Sequence, residues 1–342
     1  MKHFEQLTYL GRIRRMRQVA KLALENYKLS DTRFKFLREA GNTLFQVIDN
    51  NPIPTPDTDI YETGKYLLRI HQSGYQTPEA IKLELEWLNS MVKDDNLPVP
   101  KPVFTLDGQL TTSVSIPGIP GQRTCSLLSW IRGRELKKYN IKPYHYEQLG
   151  KLIAQLHNHT EIYGPPENQS KRIYDWEGLF GKSTKKAWEL LSPEYIKPFR
   201  TITKKVKRVM NNWGKSTEVY GLIHGDIGME ANVLFWKGNP RIIDFDDSGF
   251  GYYVFDLSIV LEESEEDQIK SVFREALIDG YNQIRSLTED QINALDLFLA
   301  AYSVYWSLYA VNAVQNHPEH KDYVFNRMAR YLRLVEHYLE RN

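Results

Sequence analysis

The stretch HGDIGMEANVLF, residues 224–235, places His224, Asp226, Glu230 and Asn232 within nine positions, directly before an apolar run. Two short apolar runs then flank Gly238-Asn239 in NVLFWKGNPRIIDFDD, and the second ends at Asp244. A hairpin that joins an Asp- and Asn-bearing loop to a strand-terminal Asp brings three oxygen-bearing side chains together. Such oxygens suit Mg2+, which favours carboxylate and amide ligands and keeps places for phosphate. Phosphoryl transfer needs those parts: metal ligands that neutralise the phosphates, and a carboxylate that orients an accepting hydroxyl and takes its proton. The plainer alternative makes Asp226 and Asp244 turn and strand-end carboxylates, with Asn232 capping its own backbone at a strand start.

The chain before this loop is strand-rich. RFKFLREAGNTLFQVID gives two strands around Ala40, Gly41 and Asn42, GKYLLRIHQ (64–72) a third, and the proline-bearing segment 49–63 a loop between them. TPEAIKLELEWLNSMV (77–92) opens with a Thr suited to cap a helix and a Pro suited to its first position. Ile81, Leu85, Leu88 and Val92 make one apolar stripe, and Glu84 projects from it, so this carboxylate faces the core and needs a cationic or hydrogen-bonding partner. Asp107-Gly108 signals a hairpin, and TCSLLSWI (124–131) supplies one more strand. An amphipathic lead-in helix is expected over residues 13–28. From Pro143 onward the spacing is helical, with Leu149, Leu152, Ile153 and Leu156 on one face, and long helices recur between 265 and 340. The expected division is 1–130 and 131–342, with no internal repeat and no low-complexity segment.

Composition narrows the partners. At 342 residues the chain has length for two structural units. Its 44 Lys and Arg nearly cancel 43 Asp and Glu, which gives no bulk electrostatic reason for a nucleic-acid or membrane-surface partner. The single cysteine, Cys125, excludes an internal disulfide framework, and the first residues lack the apolar stretch of a secretory signal, so the cytoplasm is the default compartment. LFLAAYSVYWSLYAVNAV (297–314) carries two serines and an Asn, follows Asp296, and reads as a buried helix.

LIHGDIGMEANVLF followed by RIIDFDDSGFGYYVFDLS resembles the aminoglycoside phosphotransferase, choline kinase and homoserine kinase superfamily, whose fold is similar to that of eukaryotic protein kinases. The resemblance implies an α+β, bilobal, protein-kinase-like fold, with an N-terminal antiparallel sheet lobe and a mostly helical C-terminal lobe. It implies ATP and Mg2+ as cofactors, Asp226 as catalytic base, Asn232 and Asp244 as metal ligands, His224 as a structural member of the loop, and Asp256 as a support that does not touch substrate. YLLRIHQ matches the strand carrying the phosphate-binding cation, here Arg69 where many relatives have Lys, and Glu84 matches its ion-pair partner. Arg keeps that role with a bidentate geometry. LLSWIRGREL matches the hinge, with Leu128 as gatekeeper and the Ser129 carbonyl and Ile131 amide placed to read adenine. LREAGNTLFQV matches the nucleotide-covering turn, so that Gly41, Asn42 and Thr43 would meet phosphate through backbone amides.

Three departures accompany the resemblance. The covering turn has one Gly and no G-x-G-x-x-G; Gly228 stands where the family commonly has His; and Asn232 lies six residues after Asp226 where five are usual. The extra residue must bulge within GMEA. Lys65, on the same strand face as Arg69, is a second candidate phosphate ligand, and Glu84 could pair with another cation. His157 and His159 match a Leu-His pair on a packed helix, which favours a structural role over metal binding. EESEEDQ (262–268) is either a solvated helix start or a site for a cationic substrate, and KKVKR (204–208) is an exposed helix face. The leading expectation is ATP-dependent phosphorylation of a small-molecule alcohol, aminoglycoside-, homoserine- or choline-like. A Ser/Thr protein kinase of the same superfamily and a nucleotide-binding pseudokinase are the alternatives.

Overall fold

The computed structural model describes residues 4–52, 58–164, 171–263, 267–315 and 317–342. The backbone forms two compact units: Met1–Arg134 with Leu234–Trp236 and Arg241–Asp246, and Glu135–Val233 with Lys237–Pro240 and Asp247–Asn342. Asp244 therefore belongs to the first unit, although most residues around it in sequence belong to the second.

In the first unit α1 (Tyr9–Leu24) precedes β1 (Thr32–Ala40), β2 (Asn42–Asp49) and β3 (Tyr61–Ile70), followed by α2 (Pro78–Asp95), β4 (Pro102–Val103), β5 (Thr112–Val114) and β6 (Arg123–Ile131). The strands make one antiparallel sheet in the order β1-β2-β3-β6-β4, with β5 also paired to β6. Period-two alternation sends Phe45, Val47, Leu68, Ile70, Cys125 and Leu127 to one face, where they pack with Met16, Val19, Ala20 and Ala23 of α1. The same parity turns Arg69 to the opposite face.

Three expectations need correction. The lead-in helix starts at Tyr9, because the Thr8 hydroxyl accepts from Gly11 N at 3.2 Å and caps the first turn, and it ends at Leu24. Asp107-Gly108 closes a turn in which Thr105 N donates to the Gln109 carbonyl, but not a hairpin: β4 and β5 each pair with β6 and not with one another. The third strand runs Tyr61–Ile70 where 64–72 was expected. Residues 53–57 of the loop 49–63, and 264–266 of the acidic segment, lie outside the described residues.

The second unit is mostly helical: α3 (Pro143–Tyr163), β7 (Arg172–Tyr174), α4 (Trp176–Phe180), α5 (Lys185–Leu190), α6 (Pro193–Trp213) and β8 (Tyr220–Ile223) come first. After the hairpin of β9 (Val233–Trp236) and β10 (Asn239–Ile242) come β11 (Gly249–Tyr252), α7 (Tyr253–Val260), α8 (Asp267–Asn282), α9 (Glu289–Ala313) and α10 (Lys321–Arg341). Positive φ at Lys237 and Gly238 centres the hairpin turn one residue earlier than the expected Gly238-Asn239. Strands β7, β11 and β8 form a small sheet in that order. Among the described residues α9 is the one helix long and apolar enough to cross a membrane, and 78% of its most apolar window is buried in the protein. KKVKR lies on α6 with Lys204, Lys207 and Arg208 exposed and Val206 buried, the amphipathic face expected.

Helices α3 and α8 approach backbone to backbone. A Cβ on Gly280 would run into the Glu147 carbonyl oxygen of α3. Ala is the better helix former by about 1 kcal/mol, so packing and propensity oppose each other at this position. Gly280→Ala should still destabilise the protein, by about 2 kcal/mol, as overpacking outweighs propensity; urea unfolding that shows equal or greater stability would refute the close contact.

Candidate active site

In the first unit, Thr77 accepts from Ala80 N at 3.1 Å and caps α2, fixing the phase that aims Glu84 inward. Glu84 and Arg69 meet there: Arg69 Nη2 donates to Glu84 Oε1 at 2.6 Å, with the residues 3% and 1% exposed. Burial alone would push the guanidinium toward its neutral form, but the charges of Glu84 and Asp246 outweigh it and raise its pKa. Asp246 Oδ1 stands 3.7 Å from Arg69 Nη1, Asp246 Oδ2 accepts from Asn42 Nδ2 at 3.0 Å, and the Asp246 carbonyl accepts from Gln76 Nε2. Asn42 Oδ1 accepts from Gln72 N at 2.9 Å. Asp246 was not singled out from the sequence; its sole signal was a second carboxylate two residues past Asp244.

Gly41, at φ +74°, turns β1 into β2 with Ala40 opposite Asn42. Asn42 and Thr43 are buried and the Asn42 side chain is committed to Asp246 and Gln72, so a ligand at this turn would meet main chain at the exposed Gly41. Ser129 and Ile131 lie on β6 opposite Tyr66 and Tyr61, and Ser129 N already donates to the Lys101 carbonyl at 2.8 Å. Lys65 is drawn aside by Glu62 Oε2 at 3.2 Å and by the Trp130 ring at 4.4 Å. Asp244 leaves β10 at φ +67°, rare for a residue with a side chain, and its Oδ2 accepts from Arg38 Nη2 at 3.2 Å.

In the second unit, β8 delivers the loop that carries Asp226. Asp256, fully buried on α7, accepts from His224 N at 2.9 Å and from Gly225 N at 2.7 Å. His157 lies between Asp256 Oδ2, 3.2 Å from Nε2, and the Tyr281 hydroxyl, 2.9 Å from Nδ1. One neutral tautomer satisfies both: Nε2–H donates to the carboxylate and Nδ1 accepts from the phenol. His159 is buried and stacks on Tyr163 at 5.8 Å, so both histidines are packed on α3. Asp226 N donates to His224 Nδ1 at 3.3 Å. The extra residue is absorbed by a turn in which the Gly228 carbonyl accepts from Ala231 N at 3.2 Å and Asn232 N at 2.9 Å. Asn232 Nδ2 then donates to the Asp226 carbonyl at 2.8 Å and to Asp226 Oδ2 at 3.1 Å, so its amide is oriented by Asp226.

Two further groups near Asp226 escaped the sequence. Tyr174 and Tyr302 are buried, which raises their phenol pKa values, and the charge of Asp226 adds to the effect. Tyr174 donates to the Asp247 carbonyl at 2.6 Å. Of the acidic segment, Glu262 is buried and paired with Arg327 and Arg330, which removes it as a docking carboxylate for a cation.

Arg69 Nε, Glu84 Oε2 and Gln76 Oε1 are buried without a hydrogen-bond partner; the first is a donor that an anionic ligand could take up, and the other two are acceptors. Among the described residues no three His, Cys, Asp or Glu side chains form a metal cage.

Residues 59–293 match the model of the phosphotransferase enzyme family. Homoserine kinase of Agrobacterium fabrum is 28% identical over 207 residues, which cover 59% of this chain and 59% of that protein. The structure of a microcompartment-associated aminopropanol kinase superimposes with a TM-score of 0.76 at 23% identity, over 94% of this chain and 97% of that one. An amicoumacin kinase in complex with AMP-PNP and Ca2+ gives 0.75 at 19% identity, over 94% and 93%. These similarities bear out the protein-kinase-like fold expected from the motifs.

Removing one partner of a buried ion pair strands the other charge. Glu84→Gln should cost about 3 kcal/mol, the lower end of the range because Asp246 still faces Arg69. Urea unfolding checks this, and a cost under about 1 kcal/mol would mean the pair is solvated. Burial lowers the pKa of His157 against the opposing pull of Asp256, while the unfolded chain takes up its proton near the ordinary value of about 6.5. Stability from neutral His157 is therefore full above that pH and lost as the pH falls below it. Unfolding free energies at two pH values, about 7 and about 5, should differ less in His157→Gln than in the unaltered protein, and an unchanged difference would contradict the assignment.

Proposed function

We propose, for a chain that belongs to the phosphotransferase enzyme family, ATP-dependent transfer of the terminal phosphoryl group to a hydroxyl of a small molecule. The protein is a kinase, and its acceptor is an alcohol. Asp226 takes the proton of the acceptor hydroxyl; the hydroxyl oxygen forms a bond to the terminal phosphorus as the bond to the ADP oxygen breaks, and ADP leaves. Arg69, held by Glu84, is the cation for the phosphates. The main chain at Gly41 to Thr43 covers them, and the Ser129 carbonyl and Ile131 amide read adenine. Mg2+, when bound by Asp244 and Asn232, supplies charge neutralisation at the phosphates.

The observation that carries this is the buried Arg69–Glu84 pair, in which Arg69 Nε is a buried donor without a hydrogen-bond partner. An anionic phosphate oxygen is the kind of acceptor that such a cationic donor takes. Asn232 supports the same reading, because the turn over Gly228–Asn232 keeps its amide on Asp226 despite the longer spacing.

The relatives' names, homoserine kinase and aminopropanol kinase, direct the acceptor search to amino alcohols. With Mg2+ and ATP the protein should phosphorylate at least one member of a panel of amino alcohols, hydroxy amino acids and aminoglycosides, read by phosphorus NMR. Asp226→Asn should lower the rate by about 10^2- to 10^4-fold, the usual contribution of a general base. Transfer to no member of the panel, or a rate untouched by Asp226→Asn, would defeat the assignment.

A further inference from the structure

Strand β1 carries an irregularity: its register against β2 shifts between Phe36 and Arg38. A bulge of this kind leaves one residue unpaired and re-aims the side chains beside it, and such features recur next to functional sites. Here the side chain beside the shift is Arg38, whose Nη2 lies 3.2 Å from Asp244 Oδ2, with the two side chains 60% and 36% exposed. Arg38 is thus a largely solvated cation seated on the carboxylate assigned to Mg2+. The neighbourhood is short of positive charge: the two guanidiniums of Arg38 and Arg69 face the three carboxylates of Glu84, Asp244 and Asp246.

We propose that Arg38 is a positioning residue that couples metal loading to nucleotide loading, an inference that rests on the assignment of Asp244 as metal ligand. Before nucleotide arrives, the guanidinium neutralises Asp244 and competes with a free divalent cation for it. With nucleotide and its metal bound, Asp244 would hold the metal, and the guanidinium released from it would be free to donate its N–H groups to phosphate oxygens. Electrostatics then dictates opposite signs for the two ligands. Without Arg38 the site is more anionic, so a bare cation binds more tightly and a bare polyphosphate more weakly. A merely structural surface ion pair would move neither, and a general loss of folding would weaken both.

Binding measurements without turnover test this in the whole protein. Free Mn2+, a paramagnetic probe for the metal position, is titrated by electron paramagnetic resonance without nucleotide, and ATP is titrated by calorimetry in the presence of EDTA. Arg38→Gln should bind Mn2+ about fivefold more tightly and metal-free ATP about fivefold more weakly, the factor a partly exposed ion pair can supply. Arg38→Lys, which keeps the charge, should stay within about twofold of the unaltered protein in both. Affinities that stay constant, or that shift in the same direction, overturn the role of Arg38. Asp244→Asn separates this from the premise: it should abolish Mn2+ binding, and Mn2+ affinity that survives the change would show that the metal assignment itself is wrong.

Discussion

A buried carboxylate must be neutralised by the groups around it, and in the second unit that requirement organises the loop that carries Asp226. Asp256 on α7 has no access to water, so it draws hydrogen bonds from the main-chain N–H groups of His224 and Gly225 and from the ring of His157. Two of those donors belong to the loop itself. The carboxylate thus fixes the backbone just upstream of Asp226, while the His224 ring receives the Asp226 N–H and Asn232 holds its carbonyl and carboxylate from the other side. Asp226 is therefore placed by main-chain hydrogen bonding more than by the packing of its own side chain.

The first unit solves a related problem with two opposite charges. Arg69 lies on a central strand, where a cation would be intolerable alone, and Glu84 reaches it from a helix whose phase is set by a capping threonine seven residues earlier in the chain. Asp246 widens the pair into a network that includes Asn42 and Gln76. Buried charges of this sort add little net stability, yet they fix side-chain geometry firmly because each alternative leaves a charge without a partner.

Several of these features were legible in the sequence because they depend on local periodicity. Helical spacing placed Glu84 inward, strand parity put Lys65 and Arg69 on one strand face, and the Asp226–Asn232 spacing announced a bulge that the structure realises as a turn over Gly228–Asn232. What failed was non-local. The Asp107-Gly108 signal reports only that the chain can turn, and whether its flanks pair with each other depends on β6, which outcompetes them for partners. Asp246, Tyr174 and Tyr302 gained their places near the site from tertiary packing, and an isolated acidic or aromatic residue carries no period that would reveal it. Arg38 carried no signal in the sequence, and its direction comes from the register shift beside it.

The Asn42 side chain ties the β1–β2 turn to the Gln72 amide through one atom and to Asp246 through another. One side chain thus holds three separate pieces of the chain together, the turn, the end of β3 and the segment just past Asp244. A change at Asn42 would release the turn from both of the others together.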